Sequence, residues 1–222
     1  MKILPIVLLV ASAAVYAQNV NFDQSDKSIL IRNGAFSDSG KDPKILGTPF
    51  LTESYIDAEI VNVKISVKAK YNAFKDEIEV LKEDKGFIIS KIPEYKTVRF
   101  IQSNEFLEFV SYYDEKGDQK QGYLFQIFKK GNLTLYRQEK IILEPGRAAT
   151  SSYDSDVPSR YKIQTPKYFI TNDNGKIVQF PTNKKKVLEM FPSKKVQIEE
   201  YIKLKKPNFS KIDAIISFFE NI

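Results

Sequence analysis

The sequence predicts an α+β chain that is mainly β. An antiparallel multi-stranded sheet, built as a sandwich or an open half-barrel, is followed by a small C-terminal helical subdomain of two or three short helices. Three observations carry this reading. β-rich segments follow one another between Tyr55 and Leu143, separated by charged glycine turns such as KEDKG, DEKGD and KKGN. The spacings are too short for the crossover that a parallel pair needs. From Thr182 onward the apolar period changes from two residues to a helical one.

The chain opens MKILPIVLLVASAAVYAQ. A single Lys2, an apolar run from Ile3 to Val15, and small residues at Val15 and Ala17 around Tyr16 have the form of a secretory signal peptide over residues 1–17, cut after Ala17. About 13 apolar residues are too few to cross a bilayer. With the leader removed, no transmembrane segment is expected. The protein is then exported, either periplasmic or extracellular. Cysteine is absent, so an exported chain of about 205 residues must hold itself together by packing alone. That choice favours a bacterial envelope. The net charge of +6 loses Lys2 with the leader. The remaining excess suits another envelope protein or an anionic envelope component, and nucleic acid is not an expected partner.

Residues 18–143 read as the β domain. The part before Tyr55 is mostly loop-like, with SILIR as a short strand and NGAFSDSGKDPKILGTP as punctuation. The strands that follow are YIDAEI, VNVKISVKAKYN, DEIEVLK, GFIIS, KTVRFIQ, EFLEFVSYY, QGYLFQIFK and LTLYRQEKIIL. In VNVKISVKAKYN every second residue is apolar, and Lys64, Lys68 and Lys70 share the other parity. That side reads as the one facing water, where lysines also discourage edge pairing. EFLEFVSYY and GYLFQIF are apolar on both parities, the pattern of strands covered on both faces.

Glu144 to Ser159, EPGRAATSSYDSDVPS, reads as a linker or long loop (144–159). Residues 160–181 form a β-hairpin element, with Asn174-Gly175 as a type I′ turn. Residues 182–222 form the helical tail. NKKKVLEMF is stopped by Pro192, and Ser193 and Ser210 stand where they can cap the second and third helices. Ile212, Ile215, Ile216 and Phe219 recur at i, i+3, i+4 and i+7 on the last of them. Helices this short must dock to be stable.

Several of these segments together, YNAFKDEIEV, GYLFQIFKKGNLTLYRQEKIIL, PSRYKIQTPKYFI and KKKVLEMFPSKKVQIEEYIK followed by a final helix, resemble a group of uncharacterised exported proteins of Bacteroidota. The resemblance runs from about Gly47 to the end of the chain. It implies a bacterial envelope address and brings no activity and no site residues.

The chemistry is bounded by what is missing. There is no His and no Cys, which removes Ser-His-Asp and Cys-His nucleophiles, thiol redox chemistry and the usual zinc or copper ligands. No phosphate-cradling or nucleophile-elbow motif occurs. No catalytic residue, metal ligand or cofactor is assigned. Glu77 and Glu79 would project about 7 Å apart from one strand face, a spacing that carboxylate-based hydrolysis can use. DQSDKS, YDSDV and NDNGK crowd oxygen ligands without completing a calcium loop. Tyr112, Tyr113, Tyr123, Phe125, Phe128 and Tyr136 either form the sheet core or line a groove for an apolar ligand.

The strongest candidate is electrostatic. Lys184, Lys185, Lys186, Lys194, Lys195, Lys203, Lys205 and Lys206 outnumber Glu189, Glu199 and Glu200 in the tail. The expected function is therefore a non-enzymatic envelope or secreted binding or scaffold module that contacts another macromolecule through this basic surface. A carrier of a lipid or other apolar molecule and a carboxylate-based hydrolase are the alternatives.

Overall fold

The computed structural model describes residues 30–31, 45–150, 153–172 and 174–222. The signal-peptide reading and DQSDKS lie outside the described residues. The chain is mainly β, with a long sheet and a helical C-terminal region.

The strands of the long sheet are β1 (Leu30–Ile31), β3 (Ile56–Ile60), β4 (Ile65–Asn72), β5 (Glu77–Lys82), β6 (Lys85–Ile89), β7 (Thr97–Phe100), β8 (Glu105–Tyr113), β9 (Gln119–Lys130), β10 (Leu133–Gln138), β13 (Lys167–Thr171) and β14 (Ile177–Gln179). A small second sheet holds β2 (Ile45–Leu46), β11 (Ile141–Glu144) and β12 (Ser159–Ile163), with β2 parallel to β12.

The long sheet branches at β8. One edge of β8 pairs with β9 along its length. The other edge is shared: β7 pairs with Glu105 to Glu108, and β14 runs parallel beside Tyr112 and Tyr113. Because β9, β10, β13 and β14 pair in turn, β8 to β14 close into a five-stranded ring. Every other strand junction in the ring is antiparallel.

This closure explains the two-sided apolarity of β8 and β9. Val110, Tyr112 and Leu124 point into the ring, where they meet Tyr136, Phe169 and Ile177. Leu107, Phe109, Tyr123 and Phe125 point the other way, into the core that β3 to β7 fold over. A bulge in β9 then changes its faces. Leu135 lies opposite Phe128 but Tyr136 lies opposite Gln126, so Ile127 is the extra residue. Phe128 thereby turns from the ring interior to the helix-facing side with Leu133 and Leu135.

Several expectations from the sequence are corrected. Val61 to Lys64 do not extend β4; they are the turn between β3 and β4, with Lys64 at φ 55. The alternation passes through the turn because Val61 and Val63 remain half-buried. LTLYRQEKIIL is not one strand. It breaks after Gln138, and β11 leaves the ring for the second sheet. The Asn174-Gly175 hairpin is longer than a two-residue type I′ turn: the Asn172 N–H donates to the Lys176 carbonyl, with Gly175 at φ 72 between them. Segment 144–159 is tied across by a bridge between Arg147 and Val157. Segment 160–181 gives β12 to the second sheet and β13 and β14 to the ring.

The tail forms α1 (Lys184–Met190), α2 (Lys195–Lys205) and α3 (Ile212–Asn221). Asn183 caps α1 by accepting the Lys185 N–H at 2.8 Å. Neither serine caps a helix, contrary to expectation. α2 is entered through a 3-10 turn over Pro192–Lys194, and Lys211, with no side-chain bond, stands at the start of α3. The helices cover the outer face of β10, β13 and β14 with a core of Val187, Ile198, Phe209, Ile215, Phe218 and Phe219. Lys130 of β9 donates to the carbonyls of Phe219 and Glu220 at 3.0 and 3.1 Å, a cation at the C-terminal end of α3.

The β4–β5 turn is pinned to β9 by Asp76. Its carboxylate accepts from the Tyr71 hydroxyl at 2.7 Å, the Tyr123 N–H at 3.0 Å and Lys91 at 3.2 Å. Burial first, then the charge of Asp76, raises the pKa of Tyr71 and of Tyr123 far above the ordinary tyrosine value. Both hydroxyls therefore stay protonated in the folded chain after those of the unfolded chain begin to ionise near pH 10. The unfolded state then binds fewer protons, so stability present below about pH 10 is lost as pH rises toward the folded values. The expected loss is about 1.4 kcal/mol per tyrosine per pH unit above that point. Urea unfolding between about pH 9 and 11 measures it. Tyr71→Phe should remove its share of the slope, and a flat profile contradicts the assignment.

Candidate functional site

A cleft of about 620 Å³ lies where the helical tail meets one end of the ring. One wall is the β8–β9 turn, a second is β14, and the third is α1. Each wall has a local cause. In the turn, Asp114 accepts the backbone N–H groups of Lys116 and Asp118 at 2.9 and 3.0 Å and the ammonium of Lys120. Gly117, at φ 85, lets the chain reverse there. After β14, Phe180 is buried among Phe209, Phe218 and Phe219, which fixes the position of Pro181 and the start of α1. Val178, Pro181 and Met190 supply apolar lining, while Lys176 stands 5.2 Å from the Tyr113 ring centre and Lys186 reaches in from α1.

The charges around the cleft have both signs. Lys120, helped by the two backbone donors, holds Asp114 down to about 2. Asp114 is thus a neutralised ion pair, and Glu115 and Glu189 are the carboxylates left on the lining. Against them stand Lys176 and the lysine triplet of α1.

The structure divides the eight tail lysines into groups. Lys184, Lys185 and Lys186 are exposed in the first turn of α1, and Lys186 lines the cleft. Lys194 and Lys195 open α2. There the Lys194 ammonium donates to the Ile222 carbonyl at 2.6 Å and Lys195 lies 3.9 Å from Glu199. Lys203, Lys205 and Lys206 are exposed at the far end of α2, about 15 Å from Lys195 along the axis. Among the described residues, the α1 triplet and the last three make no ion pair.

Glu77 and Glu79 do share one face of β5, but Glu79 is not open. The Tyr55 hydroxyl donates to Glu79, and Lys70 stands 3.5 Å from the same oxygen. Lys70 in turn lies 3.9 Å from the ring centre of Phe50 and 4.4 Å from that of Tyr55. This corrects the reading of Lys70 as a wet-face residue: its side chain is 14% exposed, against 58% for Lys68 on the same strand face. Burial, then the hydrogen bond and charge of Glu79, pushes the Tyr55 hydroxyl well above the usual tyrosine value. A Cβ at Gly86 would meet Glu79 at 2.6 Å and the Tyr55 hydroxyl at 2.9 Å, so glycine there makes room for the cluster.

Four further carboxylates are engaged. Glu105 pairs with Arg137 at 2.9 Å, and Glu108 lies 3.4 Å from Lys96 and accepts from the Tyr136 hydroxyl. In YDSDV, Asp156 accepts the Ala149 N–H, and Asp154 stands 3.5 Å from Arg147. Among the described residues no group of three or more His, Cys, Asp or Glu is placed to hold a metal ion. No described helix is long and apolar enough to cross a membrane.

Of the candidate aromatics, Tyr112, Tyr123, Phe125 and Tyr136 are buried in the two β cores. Phe128 packs toward the helices, and Tyr113 lines the cleft. Two features had no clear signal in the sequence: the Phe50–Lys70–Tyr55 stack, in which Phe50 comes from the loop-like stretch and Tyr55 from the start of the segment read as the strand YIDAEI, and the cleft itself, whose walls are far apart in the chain. Comparison with models of known protein families, with curated proteins and with solved structures finds no match in any of the three.

Proposed function

We propose that this protein is a non-enzymatic binding module of the bacterial envelope or its exterior, and that it holds a segment of another protein in the cleft between α1 and the ring. The observation that carries the reading is the cleft: apolar lining from Val178, Pro181 and Met190 beside a lysine triplet that makes no ion pair among the described residues. An apolar lining with a few charges at its edge suits a peptide segment. The triplet favours one that carries acidic residues. The docked helical core supports the reading further, because it holds α1 at a fixed place against the ring.

The α2 lysines are secondary in this reading: Lys194 is occupied by a carbonyl and Lys195 by Glu199, and Lys203, Lys205 and Lys206 do not line the cleft. The test compares two charge reversals in the full-length protein in its native host. Lys184, Lys185 and Lys186 are changed to Glu in one variant, and Lys203, Lys205 and Lys206 in the other. Crosslinking followed by mass spectrometry should recover a specific partner with wild type and with the second variant. With the first it should recover that partner at least about ten-fold less, the loss expected when a charge-assisted contact is removed. Equal recovery with the first variant, while its circular dichroism stays native, overturns the proposal.

A further inference from the structure

The ring has an open end that is chemically unlike its interior. Tyr112 and Lys120 are partners in the β8–β9 register. Gln138 and Lys167 are partners across β10 and β13, and Phe169 and Gln179 across β13 and β14. Residues directly opposite one another in an antiparallel pair share a face. Tyr112 and Phe169 meet inside the ring at 4.8 Å between ring centres. Each strand of the ring therefore contributes one inward position at this end: Tyr112, Lys120, Gln138, Lys167 and Gln179. Below them the interior is apolar; at this layer it becomes polar and holds a cavity of about 150 Å³. Lys140 lines the same cavity just beyond β10, and Gln164, whose N–H donates to the Lys140 carbonyl at 2.8 Å, stands beside it.

The donors left on the lining are the ammoniums of Lys140 and Lys167, the Gln179 NH₂ group and the Tyr112 hydroxyl, beside neutral amide and hydroxyl groups of Gln138, Gln164 and Thr165 that can also accept. The one lining carboxylate, Asp114, is already filled by Lys120 and by two backbone N–H groups. Gln179 uses its oxygen to accept the Glu115 N–H at 3.3 Å, which leaves its NH₂ group free. Tyr112 accepts from the Gln138 amide at 2.7 Å, which leaves its own proton free to donate. Lys140 and Lys167 make no ion pair among the described residues. Three lysines thus surround one neutralised carboxylate in a recess whose floor is the buried ring of Phe169. With its carboxylate neutralised, the charge left on the lining is that of Lys140 and Lys167, which suits an oxyanion.

We propose that this end of the ring is a binding site for a phosphate-type oxyanion, with Lys140 and Lys167 as the charged ligands and Gln179 and Tyr112 as neutral donors. Lys120 is the positioning residue, since it holds Asp114 and so keeps that carboxylate from opposing the anion. The site is distinct from the peptide cleft. Asp114 and Gln179 line both recesses, but the anion ligands Lys140 and Lys167 face only the ring end.

The test titrates the full-length protein with inorganic phosphate at constant ionic strength in chloride, followed by ³¹P NMR and calorimetry. Saturable one-to-one binding is expected. Lys167→Gln and Lys140→Gln should each weaken it at least about ten-fold, the loss expected for one charge-assisted contact. Lys184→Gln, in the α1 triplet, should leave it unchanged, which separates this site from the cleft. Vesicles of phosphatidylglycerol and of phosphatidylcholine distinguish the sources. Sedimentation with the first alone, lost in Lys167→Gln, identifies a lipid headgroup. Phosphate binding without sedimentation identifies a free phosphate. Absence of saturation, or Lys167→Gln and Lys140→Gln variants that bind phosphate as wild type does, overturns the proposal.

Discussion

Phe218→Ala is expected to lower stability by about 3–5 kcal/mol, among the largest costs a single substitution in this chain can have. Phe218 is fully buried, and the rings of Phe180, Phe191, Tyr201, Phe209 and Phe219 surround it at 5.0–6.2 Å between centres. Those rings come from the end of β14, the end of α1, α2, the α2–α3 connection and α3 itself. Truncation would remove a ring that stands within 6.2 Å of all five, centre to centre. Rigid neighbouring rings cannot close the hole well, so the cavity cost adds to the lost transfer energy. In a domain of this size the midpoint of thermal unfolding should fall by roughly 10 °C. Urea unfolding measures the free energy directly, and Ile216→Ala, at a half-buried position of the same helix, is the comparison that should cost less. A loss below about 1 kcal/mol would mean that the helices are not docked in solution as the buried rings require. It would also remove the physical basis for holding α1 beside the ring.

The same helix shows how far sequence alone reaches. The i, i+3, i+4, i+7 series of Ile212, Ile215, Ile216 and Phe219 located the docking face of α3. The series missed Phe218, which lies at i+3 from Ile215 and is the most enclosed ring of the helical core. Period locates a stripe; its centre depends on the surface that the stripe meets. In β8 and β9 the double-sided apolar pattern correctly signalled two covers. That one cover is the rest of the ring follows from the parallel pairing of β14 with Tyr112 and Tyr113. Some sixty residues separate those strands, and no local pattern encodes so distant a partner. The bulge at Ile127 had no turn residue to announce it. The serines failed as caps because a cap preference acts only where the chain enters the helix directly. Pro192 imposes a 3-10 turn first, and near Ser210 the Asn208 side chain accepts the Ser210 N–H. The candidate cleft was legible only as its lysines. Its apolar lining and its other walls depend on the long-range closure.

Lys70→Met is the second large expected effect, and it sets two lysines of one strand face against each other. Lys68 and Lys70 have the same parity on β4, and alternation alone gives both of them to water. The structure leaves Lys68 exposed in a pair with Asp57, but lays Phe50 and Tyr55 over Lys70 and sets Glu79 beside it. Methionine keeps most of the lysine stem and removes the charge. At position 68 the change should cost no more than about 0.5 kcal/mol, as for other exposed pairs. At position 70 it should cost about 3–5 kcal/mol, because a buried carboxylate loses its cation and, among the described residues, keeps the Tyr55 hydroxyl alone. The variant with both Lys70→Met and Glu79→Gln should recover part of that loss, since no unpaired charge is then left inside. Urea unfolding of both single variants and the double one gives the coupling energy, expected to exceed about 1 kcal/mol. Equal small losses at 68 and 70 would place Lys70 in water after all, and the 49–55 segment away from the sheet. The distinction rests on the cover and not on the strand: a lysine on the polar parity stays at the surface only where no other part of the chain folds across it.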